Sequence, residues 1–547
     1  MTLHPIWWRR ARLAAACGVA LAALTLTTTS VASAGADVAA APAGHDAGPV
    51  VTISGGAVRG AAVPGGLAFL GLPYAAPPTG NLRWRPPRPP AGWRGVRDAT
   101  HFAPSCPQAA SPFLPPGPLS EDCLYLNVYT PTLHHGDGDG RPVLVWIHGG
   151  GLTQDSGRNY DGTKLAADGT VVVTINYRLG ALGFLAHPAL ASRPGGPAGN
   201  YGLMDQQAAL RWVRANISRF GGDPHNVTIA GESAGGLSVL AHLVSPGSRG
   251  LFQRAIVQSG AFALKQQSLA TAEAAGQAFA AKAGCPDQTA NCLRHLPVAA
   301  LVSNFPGAAI PGVVDGKVLT ESVGAALASG RFARVPVLNG TNQDEERIFV
   351  SFGGTVSGGT DVPIPEHPVT VAGYQGDIAA VLGVSAARAQ AIAAEYPPGA
   401  YPSPDVAFSG LVGDANFACP ALQVDRWVSK QVPVFAYELN DDNAPLRFTP
   451  PLVGPPVATH GSELQYLFGL PNAPFPGPLS GDQEKLAASM RAAWANFAAR
   501  GNPASAAVPW PAIGAAHRAP VLSLVPPRPE VETDFAARHH CGFWAAG

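Results

Sequence analysis

The chain of 547 residues is long enough for a large core, and α/β enzymes often keep several hundred residues around one sheet, so length alone does not set the number of domains. Hydrophobic residues make up 46% and charged residues 13%, and 36 Lys and Arg residues balance 36 Asp and Glu residues. Because no basic excess is present to hold a phosphate backbone, the composition argues against a nucleic-acid partner.

The first 34 residues have the pattern of an export signal. Arginines at positions 9, 10 and 12 form a positive segment, residues 13–26 form an apolar stretch too short to span a bilayer, and small residues precede a cleavage site after Ala34. The paired arginines leave a twin-arginine route open as an alternative to general secretion. We therefore expect a secreted protein with no stable membrane span once the signal is removed.

An Ala, Gly and Pro-rich stretch over residues 35–48 predicts a flexible lead-in. No proline- or serine-rich linker interrupts the middle of the remaining chain, and no internal repeat is visible. We expect residues 49–547 to form a single domain.

Six cysteines follow the signal, and an even number in an exported chain favours disulfides. Six cysteines allow 15 pairings, and the sequence alone does not choose among them. The simplest arrangement joins neighbours, which gives Cys106–Cys123 and Cys285–Cys292 and leaves Cys419–Cys541. Metal ligation is the alternative, but the chain has no CxxC pair, so we expect no metal site.

Strand and helix patterns alternate between residues 142 and 259. "PVLVWIHGG" and "TVVVTINYRLG" contain continuous apolar runs rich in β-branched residues, which are typical of strands covered on both faces. Apolar residues at helical spacing follow over residues 203–221, with Gly221 as the stop. A strand "NVTIA", a helix "GLSVLAHLVS" and a strand "AIVQS" come next. This order predicts an α/β fold with a large, mostly parallel central sheet flanked by helices.

The strand "VLVWI" ends in the glycine run "HGGG", residues 148–151. Consecutive glycines allow backbone N–H groups to turn toward a developing oxyanion, so Gly150, Gly151 and the amide of Ala234 are candidate donors. A flexible loop and a phosphate cradle are the alternatives. The absence of a following Lys-Ser/Thr pair argues against the phosphate cradle.

The stretch "GESAGG" lies between a predicted strand and a predicted helix. Small residues on either side of Ser233 permit a sharp bend that exposes its hydroxyl in front of a helix N-terminus, so Ser233 is the candidate nucleophile. The alternative is a glycine-rich connection with a capping serine. The adjacent Glu232 would hardly reach the far side of a histidine ring bound to Ser233, so we expect it to be a buried carboxylate near the site and the acid to lie elsewhere.

Long motifs along nearly the whole mature chain resemble the type-B carboxylesterases, which include cholinesterases and a group of fungal lipases. The motifs, in chain order, are "FLGLPYAAPPTGNLRWRPP", "SEDCLYLNVYTP", "VWIHGGGL", "YDGTKLA", "INYRLGALGFL", "GNYGLMDQQAALRWVRANISRFGGDPHNVTIAGESAGG", "RAIVQSG", "THGSELQYLFG" and "WANFAARGNP". The resemblance implies an α/β-hydrolase fold, no cofactor, and hydrolysis of small-molecule carboxylic esters through an acyl-enzyme. It also implies a disulfide from the cysteine of "EDCLYLN" to an upstream cysteine and a short central pair.

The same resemblance implies the rest of a catalytic triad. The stretch "VPVLNGTNQDEERIF" matches the acid-bearing turn of the family. The register of this match favours Glu345 as the acid over its neighbours Asp344 and Glu346. Glu346 stands where the family usually has glycine, and a solvated acidic loop is the non-catalytic alternative. "VATHGSELQYLFG" matches the histidine turn and gives His460 as the base, so the order Ser, Glu, His is the one expected for this fold. Ser259 in "VQSG" resembles a serine that bonds the acid.

The loop between the first two cysteines suggests the substrate class. It contains no tryptophan, whereas the corresponding cholinesterase loop carries one that binds quaternary ammonium, so choline esters are not expected. It also looks too short and proline-rich for a lipase lid. We expect esters of short to medium acyl chains, or aryl and benzyl esters. The sequence does not reveal the oligomeric state.

Two other functions fit the same fold. One is a non-enzymatic adhesion or carrier protein, which the presence of Ser233, Glu345 and His460 argues against. The other is a hydrolase that prefers amide, carbamate or thioester bonds, which the triad permits. Two pairs, Arg83 with Glu121 and Arg178 with Asp205, resemble structural ion pairs of the family and are not candidate catalytic residues.

Overall fold

The structure is a computed structural model that describes most of the chain from Gly48 onward. The described residues are 48–111, 114–133, 140–191, 196, 198–305, 312–357, 360–363, 368–446, 451–475, 477–514 and 519–546, with the backbone alone over 354–357 and 360–363. The predicted export signal and residues 35–47 of the predicted lead-in lie outside them.

The strands and helices are distributed along the whole described chain. The strands are β1 (Val50–Ile53), β2 (Gly56–Arg59), β3 (Ala61–Val63), β4 (Gly66–Pro73), β5 (Val96–Asp98), β6 (Tyr125–Thr130), β7 (Arg141–Ile147), β8 (Val171–Ile175), β9 (Gly222–Glu232), β10 (Arg254–Gln258), β11 (Gln267–Ser268), β12 (Val313–Val314), β13 (Val337–Asn342), β14 (Gly354–Ser357), β15 (Thr360–Pro363), β16 (Val434–Leu439), β17 (Val521–Leu524) and β18 (Glu530–Glu532). The helices are α1 (Thr163–Ala167), α2 (Gly180–Phe184), α3 (Tyr201–Asn216), α4 (Ala234–Val244), α5 (Leu269–Lys282), α6 (Ala290–His295), α7 (Val298–Asn304), α8 (Val323–Ala328), α9 (Arg347–Ser351), α10 (Tyr374–Leu382), α11 (Ala386–Glu395), α12 (Pro404–Gly413), α13 (Cys419–Val428), α14 (Leu464–Leu467), α15 (Gly481–Arg500), α16 (Phe535–Arg538) and α17 (Cys541–Ala545). A π-helical turn, Asp414–Ala418, joins α12 to α13.

An eleven-stranded sheet runs through the centre in the order β18-β17-β16-β13-β10-β9-β7-β8-β6-β4-β3. Its middle, from β17 to β8, consists of neighbours that are all parallel. Antiparallel pairs form the two margins, β17 with β18 on one side and β8-β6-β4-β3 on the other. The prediction of a large, mostly parallel sheet is confirmed.

Alternate residues of the central strands enter two different hydrophobic clusters. In β7, Val143, Val145 and Ile147 belong to one cluster, whereas Leu144 and Trp146 belong to the other. Successive side chains of a strand point to opposite faces, so a strand covered on both faces must be apolar at every position. This explains the unbroken β-branched run from which β7 is predicted.

The predicted long helix and its stop signal are both present. α3 ends at Asn216 and continues as one 3₁₀ turn to Phe220, after which Gly221 has φ +80°. Glycine adopts this left-handed conformation without steric cost, which allows the chain to leave the helix and enter β9.

Three disulfides join Cys106 to Cys123, Cys285 to Cys292 and Cys419 to Cys541. These are the three pairs that we predicted by joining neighbouring cysteines. Both predicted ion pairs are also formed: Arg83 contacts Glu121 at 2.6 Å and Arg178 contacts Asp205 at 2.7 Å.

No single helix within the described residues is both long and apolar enough to cross a membrane. Two consecutive helices, Tyr374–Leu382 and Ala386–Ala400, are long and apolar enough only when they are taken together, and the chain bends by 115° between them.

Candidate active site

The predicted site residues follow the carboxyl ends of four neighbouring parallel strands. The glycine loop follows β7, Ser233 follows β9, Ser259 follows β10 and Glu345 lies three residues beyond β13. Carboxyl ends of parallel strands meet at one edge of a sheet, which is where open α/β sheets bind their ligands. The topology therefore brings together residues that lie as much as 197 positions apart, from His148 in the glycine loop to Glu345.

Ser233 occupies a strained turn between β9 and α4. Its backbone has φ +56° and ψ −125°, a conformation that non-glycine residues rarely adopt. The bend is possible because glycines stand on both sides. A Cβ atom on Gly235 would lie 2.0 Å from the Ile147 carbonyl oxygen, and one on Gly231 would lie 2.5 Å from the Gly235 carbonyl carbon. Ser233 is thereby held at the start of α4, with its N–H bonded to the Gln258 carbonyl at 2.8 Å.

Backbone strain is concentrated at this edge of the sheet. Seven described non-glycine residues have positive φ, and four of them lie here: Leu152, Asp155, Ser233 and Ser259. Such conformations persist only where the surrounding structure enforces them, and they cluster at functional sites.

The glycine loop lies directly against the serine turn. Gly150 and Gly151 have φ +79° and +61°, and a Cβ on Gly149 would lie 2.8 Å from Glu232 Oε2. The Tyr177 hydroxyl donates to the His148 carbonyl at 2.8 Å, and the His148 ring stacks on Tyr177 with centroids 4.4 Å apart. Burial lowers the pKa of His148, so the neutral imidazole supports the loop.

The first amide of α4 belongs to Ala234. The first N–H groups of a helix have no partner within the helix, and the macrodipole favours negative charge there. Ala234 therefore presents a donor at the start of α4, next to the serine turn.

His460 and Glu345 are in direct contact. His460 Nδ1 lies 2.6 Å from Glu345 Oε2, and the imidazole side chain is only 10% exposed. The other carboxylate oxygen of Glu345 accepts hydrogen bonds from the Ser259 hydroxyl and the Asn342 N–H, each at 2.6 Å. These bonds fix the carboxylate and hence the orientation of the ring.

The second ring nitrogen of His460 faces Glu232. Nε2 lies 3.2 Å from Glu232 Oε1, and Glu232 is 4% exposed. Among the hydrogen bonds of the described residues, none joins His460 to Ser233. The structure thus brings Ser233, Glu345 and His460 to one site, with Glu232 between the serine turn and the imidazole.

The charges around His460 act in opposite directions on its pKa. Burial lowers the pKa, but Glu232, Glu345 and Glu463 outweigh burial and raise it to about 9. Burial also raises the pKa of the Glu232 carboxyl to about 8, against the opposing effect of His460. The carboxylate of Glu232 and the imidazolium of His460 therefore each stabilise the charged form of the other.

Glu463 is a buried carboxylate of the site that the sequence analysis missed. It is fully buried and accepts hydrogen bonds from Asn342 Nδ2 at 2.8 Å and Gln258 Nε2 at 3.0 Å. Burial and the charge of Glu345 raise its pKa. The available signal was its position three residues after His460 in "THGSE".

Two phenylalanines that the sequence analysis also missed flank the imidazole. The rings of Phe349, in α9, and Phe417, in the π-helical turn, each lie 5.2 Å from the His460 ring. Phe262 lies 5.3 Å from Phe417. The site therefore has an aromatic wall.

The acidic run 344–346 is buried, so the alternative of a solvated acidic loop is wrong. Asp344, Glu345 and Glu346 are 8%, 2% and 0% exposed. Asp344 pairs with Arg347 at 2.5 Å, whereas Glu345 contacts His460. The contact with His460 thus falls on Glu345, the acid that the family register favours.

A cavity of about 130 Å³ adjoins the glycine loop. Thr153 and Gln154 line it, and their N–H groups both bond the Gly150 carbonyl at 3.0 Å. Leu182, Leu301 and Phe305 form part of its apolar side. A cavity of about this volume has room for a group the size of one aromatic ring.

Comparisons with known proteins agree over most of the chain. The model of the carboxylesterase family matches residues 47–544. A pyrethroid hydrolase, Ces2e of Rattus norvegicus, is 38% identical over 493 residues, which cover 85% of this chain and 85% of the relative. A fumonisin B1 esterase of Sphingopyxis macrogoltabida is 39% identical over 458 residues, or 80% of this chain and 79% of the relative. Among solved structures, a PNB esterase is 32% identical, with a TM-score of 0.75 over 90% of this chain and 99% of that chain.

Proposed function

The chain belongs to the carboxylesterase family and is a carboxylic ester hydrolase with the predicted α/β-hydrolase fold, and we propose that Ser233, His460 and Glu345 carry its reaction. The observation that carries this proposal is the 2.6 Å contact of His460 Nδ1 with Glu345, beside the strained turn that bears Ser233. Substrates of the family are small-molecule esters. The alternative of a non-enzymatic adhesion or carrier protein is not supported, because the relatives are named esterases and hydrolases.

Acylation begins with a proton transfer. His460 Nε2 accepts the hydroxyl proton of Ser233 while the serine oxygen attacks the ester carbonyl, and Glu345 stabilises the imidazolium through Nδ1–H. Because Nε2 lies against Glu232 Oε1, this step requires a shift of the ring or of Glu232 that opens Nε2 to the serine.

The tetrahedral oxyanion is bound by the amides of Gly150, Gly151 and Ala234. Positive φ at both glycines and the free helix N-terminus at Ala234 support this assignment. The imidazolium then protonates the departing alcohol, which leaves an acyl ester on Ser233.

Deacylation repeats the same steps with water. Neutral His460 removes a proton from the water that attacks the acyl carbonyl, and it returns this proton to Ser233 as the carboxylic acid leaves. No cofactor takes part in either half of the reaction. The same triad can also cleave amides, carbamates and thioesters. Rates on a panel of these substrates and of esters measure which bond the enzyme prefers.

We propose esters of short to medium acyl chains, or aryl and benzyl esters, as substrates. The aromatic wall of Phe262, Phe349 and Phe417 suits a flat apolar group. The cavity beside the glycine loop has room for a group about the size of one aromatic ring. The names of the relatives refer to different substrates, so the family alone does not select one.

We also propose that the protein is exported with cleavage of its signal near Ala34. The three disulfides support an oxidising compartment. Fractionation of the producing cells, with N-terminal sequencing of the secreted form, tests this. A full-length protein that stays in the cytoplasm would contradict it.

The test of the catalytic proposal uses initial rates on p-nitrophenyl esters from acetate to palmitate. We expect turnover that is highest for the shorter acyl chains and absent in Ser233→Ala, which should fold normally. A fluorophosphonate probe should label Ser233 in the native protein alone. Turnover retained by purified Ser233→Ala would contradict the assignment of the nucleophile, and rates that climb on emulsified long-chain triglyceride would contradict the substrate class.

A further inference from the structure

Arg347 is a buried cation at the start of α9, two residues after Glu345. Its side chain is 6% exposed, and it pairs with Asp344 through Nη2 at 2.5 Å and Nε at 3.0 Å. Nε also donates to the Ser409 hydroxyl of α12 at 3.0 Å. A charge buried this deeply must be compensated by partners, and Asp344 supplies the opposite charge.

The same guanidinium reaches the segment that leads to His460. Nη1 donates to the Val453 carbonyl at 3.0 Å and to the Pro455 carbonyl at 3.2 Å. One side chain therefore joins the turn of Glu345, the helix α12 and the loop that precedes the imidazole.

Backbone contacts join the acid turn and the histidine loop in the same region. The Asp344 N–H donates to the Ala458 carbonyl at 3.0 Å, and the Ile348 N–H donates to the Thr459 hydroxyl at 3.0 Å. The donors lie on either side of Glu345 in the sequence, and the acceptors are the two residues that precede His460. The distance between Glu345 and His460 thus depends on how these two segments are held together.

We propose that Arg347 is a positioning residue for the triad: by holding the histidine loop against the acid turn, it sets the contact between Glu345 and His460. The inference rests on the proposed function of those two residues. The hydrogen-bond partners of the Arg347 side chain are Asp344, Ser409, Val453 and Pro455. Arg347 therefore acts on Glu345 and His460 through the segments that carry them.

Arginine suits this role better than lysine does. The planar guanidinium presents donors in fixed directions, which allows one side chain to bond a carboxylate, a hydroxyl and two carbonyls at once. A lysine ammonium keeps the positive charge beside Asp344 but has a single nitrogen, so it cannot span the same set of acceptors. Arg347→Lys therefore keeps the positive charge beside Asp344 but loses the hydrogen bonds that join the two segments.

A matched control exists elsewhere in the chain. Arg83 is 7% exposed, bonds the Glu121 carboxylate at 2.6 and 2.8 Å, and donates to the carbonyls of Arg294 and Leu296 at 3.0 and 2.8 Å. It thus joins one carboxylate and two backbone carbonyls, as Arg347 does, but none of its partners belongs to the acid turn or the histidine loop. Arg83→Lys should disturb folding stability without disturbing the triad.

The pH dependence gives a readout that a purely structural role would not change. His460 is faced by Glu345 at Nδ1, by Glu232 at Nε2 and by the nearby charge of Glu463. If the Glu345 contact lengthens, one of the effects that favour the imidazolium weakens, and the acidic limb of kcat/KM should move to lower pH.

The experiment compares native protein, Arg347→Lys and Arg83→Lys on p-nitrophenyl acetate. Active sites are counted by titration with a fluorophosphonate, so that misfolded protein does not enter kcat. For Arg347→Lys we expect kcat per titrated site to fall by about ten-fold or more with little change in KM, and the acidic limb to move to lower pH. Arg83→Lys should keep both the native kcat per site and the native profile.

Two results would overturn the inference. One is an Arg347→Lys protein whose kcat per site and pH profile match those of the native protein. The other is an Arg347→Lys protein that does not fold although Arg83→Lys does, because Arg347 would then be needed for folding and not for positioning. A native protein that the fluorophosphonate does not label would instead contradict the proposed function.

Discussion

Glu232 Oε1 lies 3.2 Å from His460 Nε2, across the ring from the 2.6 Å contact between Nδ1 and Glu345 Oε2. The imidazole is therefore placed between two carboxyl groups, one on each nitrogen. Only one of them can be the triad acid, because the other stands where the serine proton must arrive. This geometry supports Glu345 as the acid of the proposed triad, with Glu232 beside Nε2.

Glu232→Gln should move the acidic limb of kcat/KM to lower pH. The Glu232 carboxylate raises the pKa of His460, so a neutral amide at this position lowers it. The neutral imidazole is the active base, and it then persists to lower pH. The measurement is kcat/KM for p-nitrophenyl acetate between about pH 5 and 10. Glu321→Gln, which alters an exposed ion pair with Arg331, is the control and should leave the limb unchanged. An unmoved limb in Glu232→Gln would show that its charge does not act on His460.

The three adjacent acids should respond differently to the same change. Glu345→Gln removes the charge that orients and stabilises the imidazolium and should lower kcat by about 10⁴-fold. Asp344→Asn breaks the buried pair with Arg347 and should lower the free energy of unfolding by about 3–5 kcal/mol. Glu346→Gln should affect kcat least. Rates and urea unfolding curves of the three purified variants separate these effects. A loss of 10⁴-fold in Asp344→Asn or Glu346→Gln, with Glu345→Gln active, would assign the acid to another residue.

The features that could be predicted from the sequence are those that depend on residues close together along the chain. β7 and β8 are almost continuously apolar because both faces of the sheet are covered, so they could be predicted from these runs in the sequence. Ser233 could be predicted because the sharp turn demands small neighbours on both sides. The cysteine pairs followed from the shortest connections along the chain.

Residues whose role depends on distant partners could not be predicted in this way. Glu463 gains its place through Asn342 and Gln258, which are 121 and 205 positions away. Phe417 reaches His460 through a π-helical turn that has no distinctive sequence pattern. Asp344, Glu345 and Glu346 look equivalent as a charge run. The family register favours Glu345 among them, and the structure adds their different partners, His460 for Glu345 and Arg347 for Asp344.

His539→Gln should destabilise the protein at mildly acidic pH and much less at high pH. His539 bonds Asp414 through Nδ1 and Glu438 through Nε2, each at 2.5 Å, and the charge of Glu438 and the bond to Asp414 outweigh burial and raise its pKa to about 10. Its stabilising effect is complete below the unfolded pKa of about 6.5 and is lost as the pH rises through 10.

The measurement is urea unfolding of the oxidised protein at about pH 6 and about pH 10. We expect the variant to lose about 3–5 kcal/mol at the lower pH, because buried Asp414 loses its charged partner and Glu438 keeps only its pair with Arg538. His540→Gln is the matched control: its pair with Glu395 is about one-third exposed, so it should cost less than about 1 kcal/mol. An equal loss at both pH values would mean that the charge of His539 is not the source of its effect.

Phe349→Ala should lower activity on aromatic esters more than on small aliphatic ones. The Phe349 ring is partly exposed and lies 5.2 Å from the His460 ring, so it forms the side of the site that a bound aromatic group would contact. Loss of one aromatic contact corresponds to about 0.5–1.5 kcal/mol, or about a two- to ten-fold decrease in kcat/KM for p-nitrophenyl benzoate relative to p-nitrophenyl acetate. Phe352→Ala, an exposed side chain just beyond the same helix, should leave this ratio unchanged. If Phe349→Ala lowers both rates by the same factor, the ring supports His460 and does not contribute to substrate preference.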